Sequence, residues 1–206
     1  MTSSATSLPV EFQVVALLFS LFAVSLSAIS LYKSNLESAR LEVHIGDRLY
    51  IVAPAGTRAP INTTLEIVNF GAKAGVLQFL ELRVFGPNGG SERFEWSEFY
   101  RYRSDSPGRI VEKESDPHPI AVGGKGGRSV NVQFVMAPES PTDYAWAPGA
   151  YQLILNGWQG RPSRRYPPNI ASQFSFYLSE GEADRLNITK PGDSYFQIPL
   201  RIREWS

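Results

Sequence analysis

The first regular pattern along the chain is an apolar stretch, FQVVALLFSLFAVSLSAISLY, which contains 21 residues and no charge at positions 12–32. A helix of this length extends about 31 Å, close to the roughly 30 Å hydrocarbon thickness of a bilayer. Tyr32 and Lys33 lie at its end, where an interfacial aromatic residue and a cation that reaches the headgroups are expected. The pattern predicts a retained transmembrane helix that contacts lipid through Phe12, Leu17, Leu18, Phe19, Leu21, Phe22, Leu26, Ile29, Leu31, Tyr32 and Lys33.

Two other interpretations of this stretch stay open at this point. A cleaved signal peptide would use the small residues Ser25, Ser27 and Ala28, but the polar tail at 1–11 lacks the Lys or Arg that such peptides carry. A buried core helix would need helices or an α/β sheet around it, whereas the rest of the chain is patterned as strands. A single-pass anchor followed by a neck at 33–40 is therefore favoured.

The charges beside the apolar stretch bear on its orientation. Lys33, Arg40 and Arg48 follow it, and no Lys or Arg precedes it. The positive-inside rule therefore favours a cytoplasmic C-terminal domain and an outside tail. Exported adhesion-type domains also follow such anchors, so the opposite side stays open.

Beyond the neck the hydrophobic period changes to two, as in half-buried strands. LEVHI at 41–45, SVNVQFVM at 129–136 and QFSFYL at 173–178 alternate, with Gly, Pro and Asn between such runs. We expect a turn at Gly46-Asp47, one strand buried on both faces in GVLQFLELRVF, a long polar insertion at 86–117, and a single helical turn near 179–187. The pattern predicts an all-β domain over 41–206, an antiparallel β-sandwich of about seven to nine strands.

Two segments resemble a known group of domains. INTTLEIVNFGAKAG at 61–75 resembles the strand and N-x-G turn of prokaryotic immunoglobulin-like modules of the CARDB and fibronectin type III kind. APGAYQLILNGW at 147–158 is similar to their PG-x-Y-x-L-x-L strand. The resemblance implies an immunoglobulin-like β-sandwich with a binding or scaffolding role, and it brings no catalytic residues.

The composition of the chain excludes several kinds of functional site. The chain has no cysteine and a formal net charge of zero, which excludes disulfides, thiolate zinc sites and a cysteine nucleophile and argues against a general nucleic-acid binder. Its two histidines, His44 and His118, belong to no visible ligand cluster, and Asp116 with His118 makes neither a metal site nor a triad. We therefore expect no metal, no cofactor and no enzymatic activity.

A segment rich in aromatic residues and arginine is the main candidate for recognition. FEWSEFYRYR at 94–103 interleaves five aromatics with two arginines, the residue types that anchor interfaces. An edge strand or loop folded over the sandwich is the purely structural interpretation of the same residues. The partner-binding candidates are Phe94, Trp96, Phe99, Tyr100, Arg101, Tyr102 and Arg103.

Two loops carry the remaining basic motifs. GRPSRRYPP at 160–168 places Arg161, Arg164 and Arg165 where they could contact anionic headgroups. GGKGGRS at 123–129 lacks the spacing of a phosphate-binding P-loop and is interpreted as a hairpin loop.

These patterns together predict a membrane-tethered interaction or scaffolding module that binds a protein partner at the membrane. The alternative is an extracytoplasmic carbohydrate- or envelope-binding domain that stacks sugars on the aromatics at 94–102.

Overall fold

The computed structural model describes residues 9–53, 60–103, 110–138, 145–160, 167–188, 196–201 and 203–204. Within them lie helix α1 (Val10–Leu31), continued by a π-helical turn (Tyr32–Leu36), and helix α2 (Glu180–Ile188). The strands are β1 (Leu41–Ala53), β2 (Ile61–Asn69), β3 (Gly75–Leu77), β4 (Phe79–Phe85), β5 (Ser91–Arg103), β6 (Ile110–Ser115), β7 (Ile120–Val122), β8 (Gly127–Met136), β9 (Gly149–Trp158), β10 (Ile170–Leu178), β11 (Phe196–Arg201) and β12 (Arg203–Glu204).

Helix α1 is apolar on every side, and none of its residues is buried. The hydroxyls of Ser20, Ser25 and Ser27 each donate to the carbonyl four residues earlier, at 2.8 to 2.9 Å, so these polar groups are satisfied without water. This helix is long and apolar enough to span a membrane. Its full exposure is the opposite of what a core helix would show, so that interpretation is wrong.

Most strands belong to one antiparallel sheet. Its order is β11-β1-β2-β8-β5-β4-β9-β10-β12, with β6 paired to β5, and β3 and β7 form a separate two-stranded sheet. Since β11 and β12 are separated by one residue but pair with β1 and β10, the last segment joins the two ends of the sheet. Ser172 of β10 also donates to the carbonyl of Val43 in β1 at 2.8 Å. The sheet is thus nearly closed and barrel-like.

This architecture corrects several expectations. The strands do not clearly divide into the two packed sheets of an immunoglobulin-like sandwich. The turn expected at Gly46-Asp47 is a register shift within β1, because β2 pairs with β1 on both sides of it. The strand expected in GVLQFLELRVF is two strands, β3 and β4, in two different sheets. Gln78 lies between them, and its backbone N–H donates to the Trp158 carbonyl. The expected insertion at 86–117 contains β5, a central strand.

The core lies inside the curved sheet. Leu49, Ile51, Ile61, Leu65 and Phe134 are fully buried there. The outer face of the same strands is covered in one place, because Tyr50 of β1 contacts Tyr102 of β5 edge-on at 6.4 Å, although β2 and β8 separate these strands. The C-terminal half of β5 therefore bends over the outer face.

Helix α2 follows from a capping box. The Glu182 carboxylate accepts from the Ser179 backbone N–H at 2.9 Å, and Glu182 N–H donates to the Ser179 hydroxyl at 3.4 Å. Ala183 and Leu186, on one face of the helix, are buried against the core. These contacts sustain a nine-residue helix in place of the single turn expected.

The neck after α1 is joined to the β domain by several hydrogen bonds. The Glu37 carbonyl accepts from the N–H groups of Ala72 and Lys73, both at 3.0 Å, and the Arg40 carbonyl accepts from Phe70 at 3.0 Å. The buried Asn69 side chain accepts from the N–H of Arg40 at 3.1 Å. We call this region, residues 37–40 with the loops 69–74 and 122–126, the junction.

Candidate functional site

The aromatic segment predicted to bind a partner lies on β5. Phe94, Trp96, Phe99 and Tyr100 are buried, between 0% and 6% exposed. They therefore cannot contact a partner or stack a sugar in this conformation, because Phe94, Trp96 and Phe99 belong to the hydrophobic core and Tyr100 packs against Tyr102. In the same segment, Arg101 is exposed and Tyr102 is half-buried, while the side chain of Arg103 lies outside the described residues. Partner contact through this segment stays a prediction.

A surface cleft of about 280 Å³ opens where β5 turns away from β8. β5 pairs with β8 from Phe94 to Phe99, and from Phe99 onward it pairs with β6. Gly127–Asn131 of β8 consequently pairs with β2 and with no other described strand. The cleft is lined by Phe99, Glu114, Ser115, His118, Arg128, Ser129, Val130 and Asn131.

One wall of the cleft is a strand edge. Four successive residues, Arg128 to Asn131, line it, although successive side chains of a strand point to opposite faces. Residues whose side chains point to opposite faces of the strand can line one cavity only if that cavity lies beside the edge of the strand, next to its backbone. The open wall therefore offers main-chain groups as well as side chains.

The ladder fixes which main-chain groups face the cleft. Asn69 N–H donates to the Gly126 carbonyl, so the even-numbered residues of β8 point their backbone groups toward β2. Ala137 N–H donates to the Arg93 carbonyl on β5, so the odd-numbered residues point the other way. By this alternation the N–H and C=O groups of Ser129 and Asn131 face the open edge.

The floor of the cleft is aromatic. The rings of Phe99 and His118 are tilted against each other with centroids 4.7 Å apart. His118 Nδ1 lies 3.1 Å from the Asp116 backbone oxygen, so its contact with Asp116 is to the main chain. The structure thus brings together Phe99 and His118, which are far apart in the sequence.

The cleft is lined by one charge of each sign, from Glu114 and Arg128, and a further group of charged residues lies on the β5–β6 pair and the turn after it. Lys113 Nζ lies 2.5 Å from the Asp116 carboxylate and 3.9 Å from that of Glu98. The bond from Lys113 lowers the pKa of Asp116, and the same bond raises the pKa of Lys113. The part of the chain that the structure describes holds no group of three or more His, Cys, Asp or Glu side chains suited to a metal. The expectation that the protein is not an enzyme stays a prediction.

Tyr100 lies in the β5 segment that borders the cleft. Its hydroxyl is 3.3 Å from that of Tyr102, and the two rings meet edge-on with centroids 5.3 Å apart. Burial raises the pKa of Tyr100 far above its usual range, and the hydrogen bond with Tyr102 adds to the effect. Tyr100 therefore stays neutral and serves packing.

The two basic loops have different outcomes. Arg161, Arg164 and Arg165 lie outside the described residues. The GGKGGRS segment links β7 to β8, but it is not a hairpin loop, because β7 pairs with β3. Its Lys125 adopts a φ of 52°, unusual for a residue with a side chain, and its N–H donates to the Gly71 carbonyl at 2.8 Å. The loop therefore serves the junction.

Sequence reasoning missed the β8 edge. The alternation in SVNVQFVM predicted a strand with one buried face, and nothing in it shows which neighbour is absent on one side. The signal available was GGRS at 126–129, because glycine and polar residues replace the apolar alternation where the strand begins.

No protein-family model and no curated protein matches this chain. Among solved structures, it is similar over 70% of its length to 50% of the sporulation control protein Spo0M from Bacillus subtilis, with 9% identity and a TM-score of 0.29. It is similar over 75% of its length to 28% of a family 123 glycoside hydrolase from Clostridium perfringens, with 10% identity and a TM-score of 0.35. The chain thus spans half or less of the length of these proteins, and the resemblance to CARDB and fibronectin type III modules stays a prediction.

Proposed function

We propose that this protein is a membrane-anchored β domain that captures an extended segment of a protein partner at the open edge of β8. The partner segment would add a strand beside Gly127–Asn131. The anchor restricts the domain to the membrane plane and so raises its effective concentration for partners on the same membrane. The observation that carries the proposal is the strand edge that forms one wall of the cleft.

An unpaired edge suits recognition by strand addition. Main-chain bonds supply affinity in this mode, and pockets for alternate side chains supply specificity. Here Ser129 and Asn131 offer the main-chain groups, and the exposed His118 ring, which packs on the buried Phe99 ring, lies beside them. With Glu114 and Arg128 on the walls, the cleft favours a segment that carries charges of both signs or none.

The tether is the second part of the proposal. Helix α1 supports it through its length, its exposed apolar surface and its satisfied serines. We infer a retained single-pass span, and the positive-inside rule favours a cytoplasmic domain.

We also infer that the fold derives from an immunoglobulin-like arrangement. The Tyr151 hydroxyl donates to the Ala147 carbonyl at 2.8 Å and accepts from the Ala147 N–H at 2.9 Å. This contact is similar to the tyrosine corner of immunoglobulin-like domains. It falls in the segment whose sequence resembles those modules and therefore supports the family resemblance.

The proposal is tested by removing one outward N–H from the open edge. The full chain, reconstituted in nanodiscs, is used to select peptides from a displayed random library. Selected peptides should bind the Ser129→Pro variant at least about tenfold more weakly, because proline has no N–H to donate to an added strand. Proline is tolerated at this position, since the lost N–H faces away from β2.

Ser129→Ala is the matched control, because it removes the side-chain hydroxyl and keeps the N–H. It should bind the same peptides as the unmodified chain does. Equal binding by the proline variant, or equal losses in both variants, would show that the main-chain edge is not the recognition element.

A further inference from the structure

The junction carries a cluster of basic side chains around one exposed aromatic ring. Arg40, Lys73 and Lys125 are exposed. The Arg40 guanidinium lies 5.3 Å from the centroid of the Phe70 ring, and Phe70 is itself 44% exposed. We call these four residues the platform.

The platform cations form no ion pair with the carboxylates that the structure describes. No ion pair joins Arg40, Lys73 or Lys125 to a carboxylate among the described residues. The acidic residues nearest to Arg40 along the chain are Glu37 and Glu42. The three platform cations therefore outnumber the carboxylates beside Arg40. A surface with unpaired cations and an exposed aromatic ring matches an anionic, partly apolar ligand.

The platform is held in place relative to helix α1. Glu37 follows the π-helical turn directly, and its carbonyl accepts from the N–H groups of Ala72 and Lys73. A Cβ on Gly71 would lie 2.0 Å from the Ser38 carbonyl oxygen, which shows how closely the loop and neck approach. The loops therefore stay next to the end of the helix.

The length of the helix sets the depth of the platform. The 22 residues of α1 extend about 33 Å, which matches a hydrocarbon core of roughly 30 Å. With α1 in a bilayer, the residues just beyond Leu31 lie in the headgroup layer, about 5 to 8 Å thick on each side. The π-helical turn ends at Leu36, and the platform loop 69–74 is hydrogen-bonded to residues 37–40 directly after it, so the platform lies next to this layer.

We propose that the platform binds the anionic phospholipid headgroups of the membrane that holds α1. Arg40, Lys73 and Lys125 would contact phosphates, and Phe70 would lie among the headgroups as an interfacial aromatic. This inference rests on the tether of the proposed function and is independent of the cleft. It gives the domain a fixed orientation on the membrane, with the bilayer as a second contact.

The test uses the absence of cysteine in the chain, which makes any introduced cysteine unique. Full-length Ala74→Cys carries a fluorophore in the platform loop. Asn88→Cys carries it on the exposed β4–β5 turn, about 20 Å farther along the seven-residue β4. Both are reconstituted in phosphatidylcholine vesicles, with or without phosphatidylglycerol, that contain lipids with a nitroxide on the headgroup.

Quenching at position 74 should rise severalfold when phosphatidylglycerol is present and fall again at high salt, while position 88 should stay unquenched. Changing Arg40, Lys73 and Lys125 to Gln should remove the dependence on phosphatidylglycerol, with about a fivefold loss of headgroup association for each cation. Phe70→Ala should reduce quenching at position 74 in both vesicle types.

Three results would overturn the proposal. They are equal quenching in both vesicle types, an unchanged response in the triple Gln variant, and quenching at position 88 that exceeds that at 74. Flotation with the vesicles, measured in parallel, separates the two claims. A chain that does not float contradicts the tether and the platform together, whereas a floating chain without lipid dependence contradicts the platform alone.

Discussion

Two neighbouring parts of one glycine-rich segment behave in opposite ways. At Gly123–Gly126 the backbone is hydrogen-bonded to the loop 69–74 of the junction: Asn69 donates to the carbonyls of Gly123 and Gly126, and Lys125 N–H donates to the Gly71 carbonyl. Directly after this part, at Gly127–Asn131, β8 has a partner strand on one side and an open cleft on the other.

The contrast shows how one chain separates structure from recognition. Buried polar groups are costly unless paired, so the closed junction must satisfy each of them. The open edge can leave its groups to water, which a partner strand can then replace. We expect substitutions in the junction to change stability and substitutions at the edge to change binding.

The largest expected effect is at Gly124. A Cβ there would lie 1.7 Å from the Ala72 carbonyl oxygen, so Gly124→Ala must push two loops of the junction apart. We expect it to lower the free energy of unfolding by about 3 to 4 kcal/mol. Denaturant unfolding of the full chain in detergent, followed by tryptophan fluorescence, measures it.

The adjacent glycine is the matched control. Gly123 has no atom within 4 Å of a built Cβ, so Gly123→Ala should change the free energy of unfolding by no more than about 0.5 kcal/mol. Similar values for the two variants would contradict the close packing of the junction.

The next effect compares two buried asparagines of β2. The Asn69 amide donates to the carbonyls of Lys73, Val122 and Gly123, and its oxygen accepts from Arg40 and Gly71. Asn69→Ala leaves these groups without a partner and should cost about 2 to 3 kcal/mol in the free energy of unfolding.

Asn62, also fully buried, is the control for this comparison. Its oxygen accepts from Gln133 at 2.9 Å, and its amide nitrogen has no hydrogen-bond partner among the described residues. Asn62→Ala should cost about 1 kcal/mol or less, because it removes one bond together with one unsatisfied group. The reverse order of the two costs would contradict the junction as the site where polar groups are satisfied.

The smallest effect is a pH dependence from the strand that borders the cleft. Burial raises the pKa of Tyr100 above 10.0, so above pH 10 the unfolded chain loses this proton while the folded chain keeps it. The ionisation of Tyr100 should therefore leave the free energy of unfolding unchanged below pH 10. Above pH 10 it should lower the free energy of unfolding by up to about 1.4 kcal/mol per pH unit.

Tyr100→Phe should make the alkaline decline in the free energy of unfolding shallower between about pH 10 and 12. Tyr177→Phe on β10 is the matched control, because Tyr177 is 68% exposed, and it should leave the slope as it is. Equal slopes for the unmodified chain and the Tyr100 variant would show that water reaches this side of β5.

Local patterns predicted much of the fold. The apolar stretch predicted a helix at 12–32, and α1 occupies Val10–Leu31. The alternation at SVNVQFVM and QFSFYL predicted β8 and β10, because a period of two is a property of each strand alone. The helical turn near 179–187 was predicted too short, since the buried contacts of Ala183 and Leu186 are not visible in the local pattern.

The local sequence pattern does not predict which strands pair with each other. The aromatic run at 94–103 has the composition of an interface, yet Phe94 and Trp96 are buried in the core and Tyr100 is buried beside Tyr102. The cleft arises from the place where β5 leaves β8 for β6. That choice depends on strands far apart in sequence.

The sequence by itself determined the apolar helix, the all-β character of the domain and the absence of thiol chemistry, since these follow from composition and short periods. Tertiary structure alone decided the closure of the sheet, the closed junction and the open β8 edge. The physical reason is that exposure and pairing depend on long-range neighbours: one pattern of side chains makes a core strand or an edge according to what lies beside it.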